Sequence, residues 1–281
     1  MYFLKRFSTE SDYQGYIGNN PLLPNVSHVI EGDGVYYNPV SSGNFFTLKY
    51  EVDDISVTHT LFGPVVDVST IDSIVVDGVL VPTSSTYVFS ETGEHTVVVH
   101  LKDSLDNLER YFYGGTFVEC DLTNVNAGAV TSLYATFYNC FNVRKITLPQ
   151  NFAPNNTSLY ATFYKNYYLT DINLDAMNTS NVTTMYGTFY ACESFPELDL
   201  SIWDTANVTD MGLMFYMCHK LVKVTMTNDV SKVANVNNMF KYTAGGNADS
   251  TYFGSFYYNP EYDYSTIIGA LPTDWTPYQI Q

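Results

Sequence analysis

The chain has 281 residues, enough for one large domain or two to three smaller ones, and its 46% apolar content suits a protein that buries a core. Charged residues make up only 15%, yet 29 are acidic against 12 basic, and the resulting net charge of −17 repels nucleic-acid backbones and anionic lipid alike. No run of 18 apolar residues occurs, so neither nucleic-acid binding nor membrane insertion is expected.

Residues 1–43 read as an N-terminal anchor. Its opening, Met1 to Glu10, has two basic residues but no signal-length apolar run, so assembly in a cytoplasm is the expectation. Turn signals at Gly18–Pro21, Leu23–Asn25, Glu31–Gly34 and Ser41–Gly43 bracket two short strand-like runs, Val26–Ile30 and Val35–Tyr37. A loop-rich segment without a core of its own normally packs on a neighbour.

Residues 44–115 alternate in the manner of half-buried strands. Phe46–Val52 has period two, and Ile74–Val81 is a hairpin turning on Asp77-Gly78. Tyr87–Phe89 and His95–Leu101, separated by Ser90–Glu94, read as a further pair. About five strands joined by short turns fit a small immunoglobulin-like β-sandwich.

Residues 116–244 repeat. The phenylalanines Phe137, Phe163, Phe189 and Phe215 are each 26 residues apart, and each precedes a tyrosine. A second column consists of apolar-polar-apolar triplets at Cys120/Leu122, Ile146/Leu148, Ile172/Leu174, Leu198/Leu200 and Val224/Met226. From a triplet's end to the next Leu or Met is 11 residues in four copies, and 13 in the last, Met226 to Met239. One short strand per unit with a helical or near-helical return is what a solenoid of leucine-rich type needs. In that return Leu133 and Phe137, or Met185 and Phe189, fall on one helical face aimed at the sheet. Residues 245–281 break the period and read as a C-terminal cap: a loop at Gly245–Ser250, a strand within Tyr252–Tyr258 and a short helix over Tyr264–Leu271. The fold class expected is thus mainly β with short helices.

The units from Asn181 to Cys192 and from Asn207 to Cys218, with Leu198–Asn207 between them, resemble the BspA-like leucine-rich repeats of surface proteins from Bacteroidales, mycoplasmas and some protists. The resemblance spans about 118–244, with Leu133 and Leu159 where the pattern has Met. Separately, the phrase Leu23 to Pro39 resembles a segment near the start of structural proteins of crAss-like phages of Bacteroidales. Together the two resemblances imply a virion protein, a capsid-attached head fibre or decoration protein assembled in the host bacterial cytoplasm and displayed at the virion surface. Its attachment residues would be Leu23, Pro24, Asn25, Val26, Tyr36, Tyr37, Asn38 and Pro39, its virion partner the capsid, and its state a homo-oligomer such as a trimer. The alternative is a bacterial cell-surface BspA-like adhesin.

No constellation points to catalysis, a metal or a cofactor. Cys140, Cys192 and Cys218 share a column with Asn166, a small-residue ladder rather than a zinc site, which needs paired short spacings. Cys218-His219 is the one Cys-His contact readable from sequence, but a nucleophile's base is brought near by the fold and not by adjacency, and the histidines at 28, 59, 95 and 100 have no carboxylate at a telling spacing. Glu197 and Asp199 share one strand face, whereas glycosidase carboxyls oppose each other across a cleft. The candidate binding surface is the outer face of the parallel sheet: Glu119, Asp121, Lys145, Thr147, Asp171, Asn173, Glu197, Asp199, Lys223 and Thr225, which either meets a host-surface protein or glycan or serves only as a solvated face.

Overall fold

A computed structural model describes residues 43–244 and 254–280, and the strand backbone at 5–7, 26–31 and 34–39. The protein is mainly β with very little helix. The turns expected at 18–21 and 23–25, most of the turn at 41–43 and the loop 245–250 lie outside the described residues. At the N-terminus β1 (Lys5–Phe7), β2 (Val26–Glu31) and β3 (Gly34–Pro39) form an antiparallel sheet in the order β1-β3-β2. The two expected runs are thus paired strands, with Val26 opposite Pro39.

Next come β4 (Phe45–Val52), β5 (His59–Thr60), β6 (Ile71–Val76), β7 (Val79–Val81), β8 (Thr86–Tyr87) and β9 (Gly93–Leu101). In β4 the alternation Phe46, Leu48, Tyr50, Val52 faces the core, as period two requires. The β6–β7 hairpin turns on Asp77-Gly78 with φ of 49° and 81°, the left-handed pair that a two-residue primed turn demands. One expected pairing is different: Tyr87 joins His59 in the β5–β8 ribbon, while β9 lies between β4 and β6. Phe89 explains it, since its ring stacks on His95 and lies tilted against Tyr50, which pins the segment over the sheet rather than beside it. The strands of 44–115 are antiparallel, but they do not end at their own edge. Strand β4 pairs with β10 (Glu119–Asp121), which continues in parallel through β11 (Lys145–Thr147) to β12 (Asp171–Ile172). One sheet of seven strands results, in the order β12-β11-β10-β4-β9-β6-β7.

The return segments are not helical, which corrects the expectation drawn from the four-residue spacing. Each is a run of tight turns carrying two left-handed residues four apart: Ala135 and Asn139, Ala161 and Lys165, Gly187 and Ala191, Leu213 and Met217. A helix cannot pass through left-handed residues. Alternate amides do different work. Thr136 and Tyr138 donate within the turn to Leu133 and Ala135, whereas the Ala135, Phe137 and Asn139 amides donate to the Tyr160, Thr162 and Tyr164 carbonyls of the next coil at 2.7–2.9 Å. The pattern starts one coil earlier than the phenylalanine spacing shows. Arg110 and Gly114 are left-handed too, and Phe112 donates to Thr136. At the far end the left-handed pair is Asn238 and Tyr242. Met239 therefore matches Met214, Val236 occupies the Leu/Met column, and the last coil is one residue short rather than two residues long.

Inside the stack Phe112, Phe137, Phe163, Phe189, Phe215 and Phe240 form one column, with neighbouring centroids 5.0–6.1 Å apart. The small-residue column hydrogen-bonds between coils: the thiols of Cys140, Cys192 and Cys218 donate to the Phe112, Phe163 and Phe189 carbonyls, and Asn166 accepts from the Cys140 amide. Both ends are closed by rings. Phe46 meets Phe112 edge-on at one, and Trp275 and Phe256 cover Phe240 at the other.

The parallel sheet resumes as β13 (Glu197–Asp199), β14 (Lys223–Met226), β15 (Gly254–Tyr258) and β16 (Trp275–Gln279), with α1 (Ser265–Ile268) in the last crossover. Strand β16, which carries Pro277 and escaped sequence reading, is an edge, where proline is tolerated. Gly254 lets the sheet approach its cover, because a Cβ there would run into the Trp275 indole. Replacing Phe163 by Ala should lower unfolding stability by about 3–5 kcal/mol, measured by denaturant titration, because a fully buried ring in mid-column leaves a cavity that neighbouring coils cannot close.

Candidate functional site

Two long faces of the stack are accessible, and the sequence favoured the strand face. The structure places its residues outward, opposite Cys120, Ile146, Leu198 and Val224, but most already have partners. Lys49 pairs with Glu119 at 2.6 Å, Lys145 with Asp171 at 3.0 Å, and Lys223 with Glu197 at 2.8 Å. These follow from register, which aligns Lys49, Glu119, Lys145 and Asp171 across adjacent strands. Exposed pairs of this kind add at most about 1 kcal/mol each. Asp121 and Asp199 accept the amides of Thr123 and Ser201. Asn173 binds both the amide and the carbonyl of Leu148 through its own side-chain amide. Thr147 and Thr225 are half-buried, and their carbonyls accept from Leu122 and Leu200.

That face is interrupted once. Among the described residues no strand pairing links β12 to β13. The cause is Pro196. In the equivalent position Arg144, Thr170 and Val222 each donate an amide to the carbonyl one coil back, at 2.8–3.1 Å, and proline has none to give. Asp171 and Glu197, which continuous pairing would set side by side, are like charges. The turns behind remain stacked, with Phe189 donating to Met214, so the coils part only on the strand side. Trp203 is buried beneath the gap, 5.9 Å from Phe189 with its indole N–H on the Leu174 carbonyl at 3.0 Å, and a groove of about 400 Å³ lined by Ile172, Leu174, Phe195 and Ile202 stays open above it.

The turn face is different in kind. Tyr113, Tyr138, Tyr164, Tyr190 and Tyr216 stack in a ladder with centroids 4.1–5.0 Å apart and planes within 16°. Tyr134, Tyr160 and Tyr186 form a second, shorter ladder. It stops at Gly212, where a Cβ would press on the Tyr186 ring. Tyr242 meets Tyr216 at 85°, because the short last coil shifts it by one position. Stacked faces are used up on each other, so ring edges and hydroxyls point outward.

Charge is scarce on this face. The six turns 108–114, 133–139, 159–165, 185–191, 211–217 and 236–242 contain three basic residues, Arg110, Lys165 and Lys241, and one acidic, Glu109, in a chain of net −17. Each cation lies near a tyrosine ring: Arg110 over Tyr134, Lys165 over Tyr164, Lys241 over Tyr242. Burial and neighbouring phenols hold the hydroxyls of Tyr160, Tyr164 and Tyr216 above their ordinary pKa, so they remain neutral donors at physiological pH.

Sequence reading identified the Phe-Tyr pairs but left the tyrosines unplaced. The signal was present: a turn with left-handed residues four apart sends the Phe inward and the following Tyr outward. The same Leu-x-x-x-Phe-Tyr spacing marks the first coil at Leu108, Phe112 and Tyr113. Of the expected attachment residues, Val26, Tyr36, Tyr37, Asn38 and Pro39 lie on the β2–β3 backbone, while Leu23, Pro24 and Asn25 are outside the described residues. Among the described residues no group of three or more His, Cys, Asp or Glu is placed to hold a metal, and no helix is long and apolar enough to cross a membrane.

Stacked coils with an aromatic interior and a tyrosine-lined outer face define a mainly β repeat protein. Residues 131–253 match the family described as "Mycoplasma protein of unknown function, DUF285", compatible with the BspA-like resemblance. The match lies well away from the phrase Leu23 to Pro39. No curated protein and no solved structure matches the chain.

The tyrosine ladder sets an alkaline limit. Because the folded-state pKa values of Tyr160, Tyr164 and Tyr216 are raised, their contribution to stability is complete below the unfolded value near 10 and is lost as pH rises through the folded values. Absorbance titration of tyrosinate should show a late-ionising class that includes the buried Tyr50, Tyr111 and Tyr264 as well as these three, and melting temperature should fall steeply above about pH 10; a single unshifted tyrosine class would contradict the burial of these hydroxyls.

Proposed function

We propose that this chain is a non-enzymatic, surface-displayed adhesion protein, a leucine-rich solenoid that binds through its turn face. The observation that carries the reading is the tyrosine ladder. Tyrosine supplies large, rigid, amphipathic contact area at low entropic cost, and the cores of protein interfaces are rich in it and poor in charge. The strand face, by contrast, is largely neutralised by its own ion pairs. The family match over 131–253 supports display on a bacterial cell surface, as in the BspA-like adhesins.

Display on a virion, with capsid attachment and a homo-oligomeric state, is a second reading, supported by the Leu23–Pro39 phrase, whose described parts are the paired strands β2 and β3. The antiparallel sheet 44–107 acts as a spacer and as the cover of the first coil in either setting.

The test uses the full chain. Labelled protein should bind host-cell surfaces or their matrix, and the triple variant Tyr138→Ser, Tyr164→Ser, Tyr190→Ser should weaken binding at least about 10-fold, as expected for clustered interface tyrosines. Lys223→Ala on the strand face should leave it unchanged. Absence of binding, or loss confined to strand-face variants, would remove the turn face from the proposal. Immunogold labelling separates the locations, since gold on producing bacteria without phage supports the cell-surface reading and gold on particles alone supports the virion.

A further inference from the structure

The break at Pro196 leaves two strand edges, β12 and β13, on either side of the open groove of about 400 Å³. The backbone there is short of partners. In one column the carbonyls of Val118, Arg144 and Pro196 each accept two amides from the next coil at 2.8–3.3 Å, whereas that of Thr170 accepts none among the described residues. Leu122 and Leu200 donate their amides to Thr147 and Thr225, and Leu148 donates to the Asn173 side chain, but the Leu174 amide has no such acceptor. In a parallel ladder successive residues turn their amides and carbonyls to alternate sides. Because the Pro196 carbonyl and the Leu200 amide bond toward β14, Glu197 and Asp199 between them turn theirs to the groove.

The walls divide by chemistry. Ile172, Leu174, Phe195 and Ile202 supply apolar surface, with Ile202 57% exposed. Asp175, Glu197 and Asp199 supply charge, and no basic residue lines the groove. Glu197 is paired with Lys223, but Asp175 and Asp199 stand outside the ion pairs of the described residues.

We infer that this groove is a docking site for an extended, basic segment of a partner protein, which adds a strand along β13. The free amides and carbonyls of a strand edge are met together by another extended backbone. Side chains of such a strand alternate, so apolar residues at every second position reach Ile172, Phe195 and Ile202. The residues between them face the rim, where Asp175, Glu197 and Asp199 favour Lys or Arg and repel carboxylates. Pro196 keeps the site open, since it lacks the amide that would close the column from within. The groove lies on the strand face, so this docking is independent of the tyrosine ladder, and its failure leaves the adhesion proposal untouched.

The probe is a fluorescein-labelled octapeptide alternating Lys and Val, titrated against the full chain by anisotropy. It should bind, and its counterpart alternating Glu and Val should not. Of its two versions N-methylated at one or the other alternate set of residues, at least one should lose binding, because methylation removes the donors that pair with the edge. Asp175→Asn combined with Asp199→Asn should weaken binding roughly fivefold or more. Asparagine at 199 keeps the side-chain oxygen that accepts the Ser201 amide, so the turn survives. Removing equal charge at exposed sites elsewhere, Asp53→Asn with Glu94→Gln, should leave binding unchanged. Ile202→Ser should weaken it as well. No binding of the Lys-Val peptide, equal losses from both charge pairs, or binding indifferent to both methylated versions overturns the inference. So does a dimer, detected by sedimentation, that Ile202→Ser dissociates, since the groove would then hold a second copy of this chain.

Discussion

The backbone hydrogen bonds between coils are what the rest of the structure depends on. A chain that returns every 25 or 26 residues can stack only if its amides alternate between closing a turn and reaching the next coil. Two left-handed residues per turn achieve that alternation. Each non-glycine residue in that conformation costs about 1–2 kcal/mol. The three or four amides that each turn sends to the next coil at 2.7–3.0 Å, and a buried ring stacked on its neighbours, offset it. The cost is met only in the stack, so a lone unit has nothing to hold it folded, and both ends must be covered. The antiparallel sheet shares a strand ladder with the first coils, and α1 with β15 and β16 closes the last.

That dependence explains what could be read from the residues alone. The interior was legible because it is periodic: Phe137 to Phe215, the triplets and the Cys/Asn column all sit where a constant period puts them. The Asp77-Gly78 hairpin was legible because its turn chemistry is local. What escaped depended on backbone sign or on partners remote in sequence. Nothing in Ala135 or Leu213 announces a left-handed residue, so spacing alone suggested a helix. Tyr87 found His59 rather than β9 because Phe89 packs over the sheet. The one-residue shortening at the last coil was hidden by Met239, which mimics the expected Met two positions late.

The candidate site was half legible. The charged strand-face residues lie on the outer side of the sheet while Thr147, Asn173 and Thr225 are half-buried, and sequence held no measure of how completely Lys49, Lys145 and Lys223 neutralise their carboxylate neighbours, because those pairs form across strands 26 or more residues apart. Pro196 was readable as a missing donor, yet its effect needs the column of Arg144, Thr170 and Val222 beside it to be seen. The tyrosines were counted but not placed.

Placing them changes what the repeat is for. A Phe-Tyr pair in a tight turn divides labour by direction: the phenylalanine stacks inward and supplies cohesion, and the tyrosine stacks outward and supplies a surface. Both columns share the same coil spacing, so whatever fixes the interior also spaces the exterior. Hydroxyls held at that spacing on rings that cannot rotate freely have already lost the entropy that a mobile side chain would lose on binding. The cation over Tyr134 and the unpaired Tyr111 hydroxyl occur where the regular column begins, at the coil that joins the stack to the sheet. Regularity builds the platform, and the departures from it at Tyr111 in the first coil and Tyr242 in the last mark its two ends.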